Sequence, residues 1–177
     1  TQTTRVEITN DENEWYTYAV QWSRDAESLL FNRTNRHQNV LHVMAADAGT
    51  GKTRIIVTEQ QDTWQENRPL MRFLEDGQRF IWESEKTDWK HYELRNLDGQ
   101  LLATLTTGEY PVGGITRVDE EAGVLYYTAF SEPSNPLNAQ LHRVNLDGSD
   151  QKRLTPDPLN HTTLDISPDN KWFIATN

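Results

Sequence analysis

The sequence contains no cysteine, so disulfide bonds and thiolate metal sites are excluded. No run approaches the roughly 18 consecutive apolar residues of a membrane-spanning helix, and no segment keeps a helical apolar period over about eleven residues. Helix content should therefore be minor. Positive charge is also scarce, because 17 Lys and Arg stand against 27 Asp and Glu, a formal net charge of −10. Such a surface repels phosphate backbones and anionic lipid, so we expect neither nucleic acid nor a membrane as a partner of this segment.

Large aromatic side chains make up for a low overall apolar content. Only 35% of the residues are hydrophobic, but they include six Trp, six Tyr and five Phe. A chain of 177 residues can bury roughly 70% of its unfolded surface, and aromatic rings supply large buried areas within short strands. We therefore expect one folded domain over residues 1–177.

Residues 70–106 carry the clearest structural pattern. Four short runs rich in β-branched and aromatic residues follow one another, and two of the turns between them contain Asp76-Gly77 and Asp98-Gly99. Asp-Gly is the strongest short-range hairpin signal, because glycine accepts the positive φ of a tight turn. The sequence predicts antiparallel strands at residues 70–74, 78–84, 91–95 and 101–106.

This four-strand unit recurs along the chain. Asn96-Leu97-Asp98-Gly99 is matched 49 residues later by Asn145-Leu146-Asp147-Gly148, and Gly51 precedes Gly99 by 48 residues. A repeated unit of about 40 to 50 residues with four strands is typical of a propeller blade. The predicted fold class is all-β: a partial β-propeller with about three four-stranded antiparallel blades plus flanking strands of two incomplete blades. The predicted units are residues 16–60, 70–106 and 113–155, a partial unit at 162–176 and a lone strand at 3–9.

Three whole blades with one strand before and two after cannot close a ring of ordinary size. The sequence is therefore interpreted as a fragment of a larger propeller, because a blade needs neighbours on both faces to hide its apolar side chains. Self-association through the open faces of the end blades is a further hypothesis.

Two patterns suggest ligand chemistry but fit strands and turns better. Residues 46–53 approximate a phosphate-binding loop, but Ala46 stands where the first glycine is required, and residues 54–57 favour a strand where a helix should follow. His42, His91 and His142 fall in third strands of successive units, at different positions relative to the Asp-Gly turns, which argues against one metal site. We expect no metal and no cofactor.

The loop at residues 62–69 is the segment best suited to recognition. It joins the outer strand of one unit to the inner strand of the next, and such crossings line the face on which propellers bind. Trp64, Glu66 and Arg68 place an indole, a carboxylate and a guanidinium within five positions, with Asn67 among them. The alternative is that Trp64 packs under the blade and Arg68 pairs with Glu66. No catalytic residue is predicted.

Four segments, at residues 20–25 (VQWSRD), 35–39 (NRHQN), 80–85 (FIWESE) and 97–99 (LDG), carry a recognisable pattern. In these segments the chain resembles the β-propeller domain of the dipeptidyl-peptidase IV family of serine peptidases, its bacterial branch in particular. Residues 20–25 are similar to the family's Trp-Ser-Pro-Asp turn, with Arg24 in place of the proline, and residues 35–39 resemble its Asn-Arg-x-Gln-Asn segment. Residues 80–85 and 97–99 resemble its Ser-Glu motif and its Leu-Asp-Gly turn. The resemblance runs in order over nearly the whole chain.

The resemblance implies the non-catalytic propeller portion of a serine exopeptidase, gating and shaping the substrate channel for release of N-terminal dipeptides with Pro or Ala second. The catalytic Ser, Asp and His would lie in a separate α/β-hydrolase domain, because no Gly-x-Ser-x-Gly occurs here. The fragment alone would be inactive, and its partner would be a peptide substrate reached through that domain.

The resemblance also implies a periplasmic, secreted or cell-envelope location. Arg68-Pro69 is a loose match to the stretch that approaches the extended substrate in the family, so the 62–69 loop would face substrate. The acidic run at residues 119–121 does not match the family's substrate-gripping Glu pair. The alternative function is a non-catalytic periplasmic protein-binding propeller, a scaffold or interaction module.

Overall fold

The computed structural model of the chain describes residues 3–8 and 14–177. These residues form strands and no helix, and so no helix long and apolar enough to cross a bilayer occurs among them. The strands are β1 Trp15–Trp22, β2 Ser28–Asn35, β3 Val40–Asp47, β4 Thr53–Gln60, β5 Met71–Phe73, β6 Arg79–Ser84, β7 His91–Asn96, β8 Leu101–Thr104, β9 Val112–Asp119, β10 Val124–Ala129, β11 Gln140–Asn145, β12 Lys152–Arg153, β13 Thr163–Ile166 and β14 Phe173–Thr176.

The strands pair in the order in which they follow along the chain. Strands β1 to β4 form one four-stranded sheet (blade 1), β5 to β8 a second (blade 2), β9 to β12 a third (blade 3), and β13 pairs with β14 (partial blade 4). The pairs of blades 1, 3 and partial blade 4 are antiparallel. Sequential four-stranded sheets are the construction of propeller blades, and the predicted fold class is confirmed.

The chain divides into two compact units. The first holds the described residues up to 80 together with 95–100, and the second holds 81–94 together with 101–177. The division passes through blade 2, so blade 1 belongs to the first unit, and blade 3 and partial blade 4 belong to the second. One domain over residues 1–177 remains a prediction.

The two middle strands of each blade carry the buried side chains. Leu41 in β3, Trp82 in β6 and Tyr127 in β10 are fully buried, whereas β1 and β8 are largely exposed. A middle strand has neighbours along both edges, so its side chains are covered more completely than those of an edge strand. Burying one such side chain stabilises the fold by about 1.5–3 kcal/mol, which places most of the stabilising apolar contact in these middle strands.

The predicted lone strand at residues 3–9 is not formed in the part of it that the structure describes. Residues 3–8 carry no strand, and Thr9 lies outside the described residues. The Glu7 N–H donates to the Gly51 carbonyl at 2.8 Å, and the Thr53 hydroxyl donates to the Glu7 carbonyl at 2.8 Å. Val6 packs against the apolar cluster of blade 1. A strand needs a continuous ladder, and these separate bonds do not make one.

The recurrent glycine of the turn between third and fourth strands lies against a backbone carbonyl. At all three positions φ is positive, between 77° and 85°, and a Cβ atom would lie only 1.9 to 2.4 Å from that carbonyl oxygen. Glycine is therefore required twice, for its backbone conformation and for the space that a side chain would occupy. The pairs are Gly51 with Arg5 O, Gly99 with Ile56 O and Gly148 with Thr104 O.

An arginine in or just after a blade's first strand donates hydrogen bonds to the first turn of the next blade. In the first unit, Arg24 Nη1 donates to the carbonyls of Leu74 at 3.4 Å and Glu75 at 2.7 Å. In the second unit, Arg117 makes the same kind of contact with the turn after β13, and the residues on both sides are displaced by 92 or 93 positions. Arg24, which departs from the family's proline, therefore has a structural role. The Arg117 acceptors are Ile166 O at 3.3 Å, Ser167 O at 3.1 Å and Pro168 O at 3.2 Å.

Two glycines of blade 3 allow the cost of a positive φ to be measured apart from the cost of a clash with a neighbouring carbonyl. Both have positive φ, but a Cβ on Gly123 would meet nothing within 4 Å, whereas one on Gly148 would lie 2.4 Å from Thr104 O. We expect Gly123→Ala to lower the free energy of unfolding by about 1 kcal/mol, the cost of the left-handed conformation. Gly148→Ala should lose about 3 kcal/mol, because the clash adds to that cost. Urea unfolding of both variants checks this, and equal losses would contradict the close-contact requirement.

Candidate functional site

The connection between β4 and β5, residues 61–70, is irregular and largely exposed. Trp64 keeps 63% of its surface accessible, so it does not pack under the blade. Glu66 accepts a hydrogen bond from the main-chain N–H of Arg68 at 2.9 Å. The Glu66 carboxylate thus closes a local turn through the main chain of Arg68, and pairing of the two side chains stays a prediction.

Asn67 is the buried anchor of this loop. Its main-chain carbonyl accepts from the Tyr18 hydroxyl, and its side-chain oxygen accepts from the Thr34 hydroxyl at 2.8 Å. Its side-chain nitrogen donates to the carbonyls of Gln65 at 2.8 Å and Gln38 at 3.3 Å. An exposed loop is thus tied to β1, to β2 and to the turn after β2 through one asparagine, which sequence reasoning had placed among the substrate-facing residues.

A cleft of about 360 Å³ lies beside the anchored loop. Tyr16 and Tyr18 are two positions apart on β1 and therefore lie on the same face of the strand. Immediately after Tyr18 the pairing of β1 with β2 shifts by one residue, and Ala19 takes a left-handed φ of 51°. Bulges of this kind often re-aim side chains beside functional sites. The lining residues are Tyr16, Thr17, Tyr18, Thr34, Gln38, Asn67 and Arg68.

The side chains that line the cleft are neutral and polar, apart from the guanidinium of Arg68. Burial raises the pKa of Tyr18 to about 12, with the Arg68 guanidinium acting to lower that pKa and the Glu66 carboxylate acting to raise it. The Tyr18 hydroxyl is therefore protonated well above neutral pH, and it donates its proton to the Asn67 carbonyl. The Arg36 guanidinium donates to the Tyr16 hydroxyl and lies 3.7 Å from a Glu14 carboxylate oxygen. Both tyrosine hydroxyls thus already have partners within the protein, and Arg68 contributes a charged side chain to the lining.

Of the four predicted site residues, the structure places Asn67 and Arg68 in the cleft lining. Trp64 is outside the lining, but its indole N–H donates to the side chain of Gln38, which does line the cleft. Glu66 closes a turn of the loop by accepting from the Arg68 N–H. Sequence reasoning missed the contributions of β1, β2 and Gln38. The alternation of Tyr16 and Tyr18 in β1 was the available signal for the two tyrosines.

In the other two patterns that suggested ligand chemistry, polar side chains are hydrogen-bonded to neighbouring residues. The Asp47 carboxylate accepts from the N–H and the hydroxyl of Thr50, each at 2.7 Å, inside the β3–β4 turn where a phosphate would have to bind. His142 bonds to the Ser131 hydroxyl at 2.7 Å, and burial lowers its pKa to about 4. Within residues 3–8 and 14–177, no group of three or more His, Asp or Glu side chains is placed to hold a metal ion.

The chain is similar in sequence to one family of proteins and to several of its curated members. Residues 1–177 match the family described as "Dipeptidyl peptidase IV (DPP IV) N-terminal region". The chain is 26% identical over 142 residues to dipeptidyl peptidase 4 of Arthroderma otae and 28% identical over 158 residues to a probable dipeptidyl-aminopeptidase B of Emericella nidulans. These alignments cover 77% and 82% of this chain but only 18% and 17% of the relatives. The chain therefore spans less than a fifth of the curated relatives that it matches.

Solved structures show the same fold. The crystal structure of Porphyromonas gingivalis dipeptidyl peptidase 4 superposes with a TM-score of 0.75 at 18% identity, over 97% of this chain and 24% of that one. A putative dipeptidyl aminopeptidase IV from Bacteroides ovatus superposes with a TM-score of 0.72 at 21% identity, over 94% of this chain and 26% of that one. At these identities the likeness supports the fold alone.

The raised pKa of Tyr18 predicts how the site responds to alkali. A tyrosine whose pKa rises from 10.0 to about 12 on folding contributes stability that is fully present below pH 10 and is lost as the pH rises towards 12. The difference between the absorbance titrations of the wild type and Tyr18→Phe at 295 nm should therefore show a phenol that ionises near pH 12. A difference titration centred at pH 10 while circular dichroism still reports the folded chain would contradict the buried, hydrogen-bonded hydroxyl.

Proposed function

The chain belongs to the family of dipeptidyl peptidase IV N-terminal regions, and from this premise we propose that it gates and shapes the substrate channel of a serine exopeptidase that releases N-terminal dipeptides. In this role the chain does no bond-making or bond-breaking chemistry. A separate α/β-hydrolase domain supplies the nucleophile, the base and the oxyanion hole, while the propeller segment restricts access to extended peptides and binds part of them.

The arrangement of the β4–β5 loop is the observation that carries this proposal. A guanidinium and an anchored asparagine of the loop line a cleft together with two tyrosines of β1, the first strand of blade 1, and the exposed Trp64 indole is bonded to Gln38 of the same lining. In a propeller the blades surround a central channel, so a cleft at a first strand suits a peptide that enters along it. The absence of any Gly-x-Ser-x-Gly from the 177-residue sequence agrees with a contribution that is limited to binding and access.

As part of the same proposal, we infer a periplasmic, secreted or cell-envelope location for the protein. Its partner is then the peptide substrate, which is held jointly with the hydrolase domain. Membership of the family supports this function over that of a protein-binding scaffold propeller.

The first expected outcome concerns catalysis. The purified 177-residue chain should release no nitroaniline from Gly-Pro-p-nitroanilide, because it carries no nucleophile elbow. The polypeptide that contains this segment together with its hydrolase domain serves as the positive control in the same assay. Turnover by the chain alone that survives repeated chromatography would overturn the division of labour between the two domains.

The second expected outcome concerns substrate length. In the longer, active polypeptide, Trp64→Ala should raise KM about fivefold for a decapeptide with proline second, the usual effect of losing one aromatic contact. KM for Gly-Pro-p-nitroanilide should not change, because so short a substrate does not extend to the loop, and kcat should be unaffected for both.

Trp89→Ala is the matched control for this experiment. Trp89 is also exposed, at 39%, but lies in the turn between β6 and β7 and not at the cleft. An equal loss on long and short substrates in Trp64→Ala, or an equal effect of Trp89→Ala, would argue against a substrate-facing role for the loop.

A further inference from the structure

Gln38, in the turn between β2 and β3, has an unusual backbone conformation for its residue type. Its φ is 56°, in the left-handed region. A residue with a side chain pays roughly 1–2 kcal/mol to adopt this conformation, and it persists only where the surroundings determine it strongly. Ala26 and Asp88 share this conformation, and at each of the three the N–H donates to the carbonyl three residues earlier, so the turn itself sets φ and the contacts of Gln38 bear on its role.

Both carbonyl groups of Gln38 accept hydrogen bonds from the β4–β5 loop. The main-chain carbonyl accepts from the N–H of Gln65 at 3.1 Å and from the side-chain nitrogen of Asn67 at 3.3 Å. The side-chain oxygen accepts from the indole N–H of Trp64 at 2.8 Å. One residue thus holds the loop backbone, its buried anchor and its exposed indole, and the same residue lines the cleft.

The turn that carries Gln38 is itself well supported. The Asn35 side-chain oxygen accepts from the N–H groups of Asn39 at 3.1 Å and Val40 at 3.2 Å, which closes the turn. Asn39 and Gln61 exchange two hydrogen bonds, from the Gln61 N–H to the Asn39 carbonyl at 3.0 Å and from the Asn39 amide to the Gln61 carbonyl at 3.2 Å. Gln38 therefore acts from a rigid turn that is fastened to the beginning of the loop.

The Trp64 indole is largely exposed, yet it is held by a hydrogen bond to the protein. A largely exposed indole normally changes rotamer freely and gives its N–H to water, but here the N–H is bound to protein while most of the ring remains accessible. Fixing a side chain before binding removes part of the entropic cost that a ligand would otherwise have to overcome, about 0.5–1.5 kcal/mol for each immobilised side chain. An aromatic face held in this way suits contact with an apolar side chain or a proline ring.

We propose that Gln38 is a positioning residue for peptide recognition: its side-chain oxygen holds the Trp64 indole in one orientation beside the cleft, ready to contact an apolar side chain of an extended peptide. Gln38 acts through Trp64, while its main-chain bonds fix the loop. This inference rests on the proposed function, because it requires that the loop meets peptide.

The hydrogen bond can be tested without any ligand, on the 177-residue chain labelled with ¹⁵N. Trp64→Phe identifies the Trp64 indole resonance among those of the six Trp residues. Gln38→Ala should speed exchange of that indole proton with water several-fold, whereas Gln38→Glu, which retains an acceptor oxygen, should leave it slow. Gln100→Ala removes another side-chain hydrogen bond at an exposed turn, between Asn96 and Gln100, and should have no effect on the Trp64 signal.

Peptide binding tests the consequence, with the amide of Ala-Pro-Ala-Pro-Ala-Pro as the probe and calorimetry as the measurement. Gln38→Ala and Trp64→Phe should each weaken Kd about fivefold, the equivalent of one hydrogen bond. The double variant should bind no more weakly than either single variant, because both changes remove the same interaction. Gln38→Glu should restore affinity to within about twofold of the wild type, and unfolding midpoints should stay the same for all variants, which a merely structural role would not predict.

The outcomes separate the two proposals. Weakened binding in Trp64→Ala together with unchanged binding and unchanged indole exchange in Gln38→Ala would overturn the positioning role and leave the loop as a peptide site. Independent, additive losses in the double variant would also overturn it. No detectable binding of the probe by the wild-type chain, with the indole bond intact, would overturn the proposed peptide-facing role of the loop and the inference that rests on it.

Discussion

The close approach of a glycine turn to a neighbouring backbone carbonyl is the contact on which the repeat depends. At Gly99 and Gly148 the turn between a blade's third and fourth strands touches the fourth strand of the preceding blade, so closely that no Cβ could be accommodated. Gly51 makes the same contact with Arg5, although residues 3–8 form no strand. Residues 3–8 therefore lie against the glycine of blade 1 as the fourth strand of one blade lies against the glycine of the next. This agrees with the strand-like pattern of their sequence.

Hydrogen bonds from two arginines also connect neighbouring blades. The guanidiniums of Arg24 and Arg117 reach the backbone carbonyls of the next blade's first turn, where Leu74 O and Ser167 O also accept a main-chain N–H of the turn. A guanidinium offers several donors in a fixed plane, so one side chain can satisfy two or three carbonyls at once. The glycine contact brings blades close together at their outer edges, while these arginines hold the turns that follow the first strands, and the β4–β5 loop crosses between blades 1 and 2.

The candidate site was only partly accessible to sequence reasoning. The loop was found because Trp64 and Arg68 are side chains that bind ligands and lie at a blade crossing, and the structure adds that Asn67 anchors the loop and that two tyrosines of β1 line the cleft. Tyr18 and Asn67 are 49 residues apart and meet only when blade 1 has formed. Gln38 gave no signal of its own, because its left-handed conformation follows from its place in the β2–β3 turn and its bond to Trp64 spans 26 positions.

The sequence by itself determined the repeat, the four-strand unit and the turns, because strand alternation and the positive φ of glycine are local properties that each segment carries wherever it lies. It also determined that Glu66 and Arg68 share one loop with Trp64. Only the tertiary structure decided which of those side chains face the cleft, that residues 3–8 form no strand, and that Gln38 holds an indole 26 positions away. Those features depend on which carbonyls and donors are left unpaired once blades meet, and no local pattern encodes that.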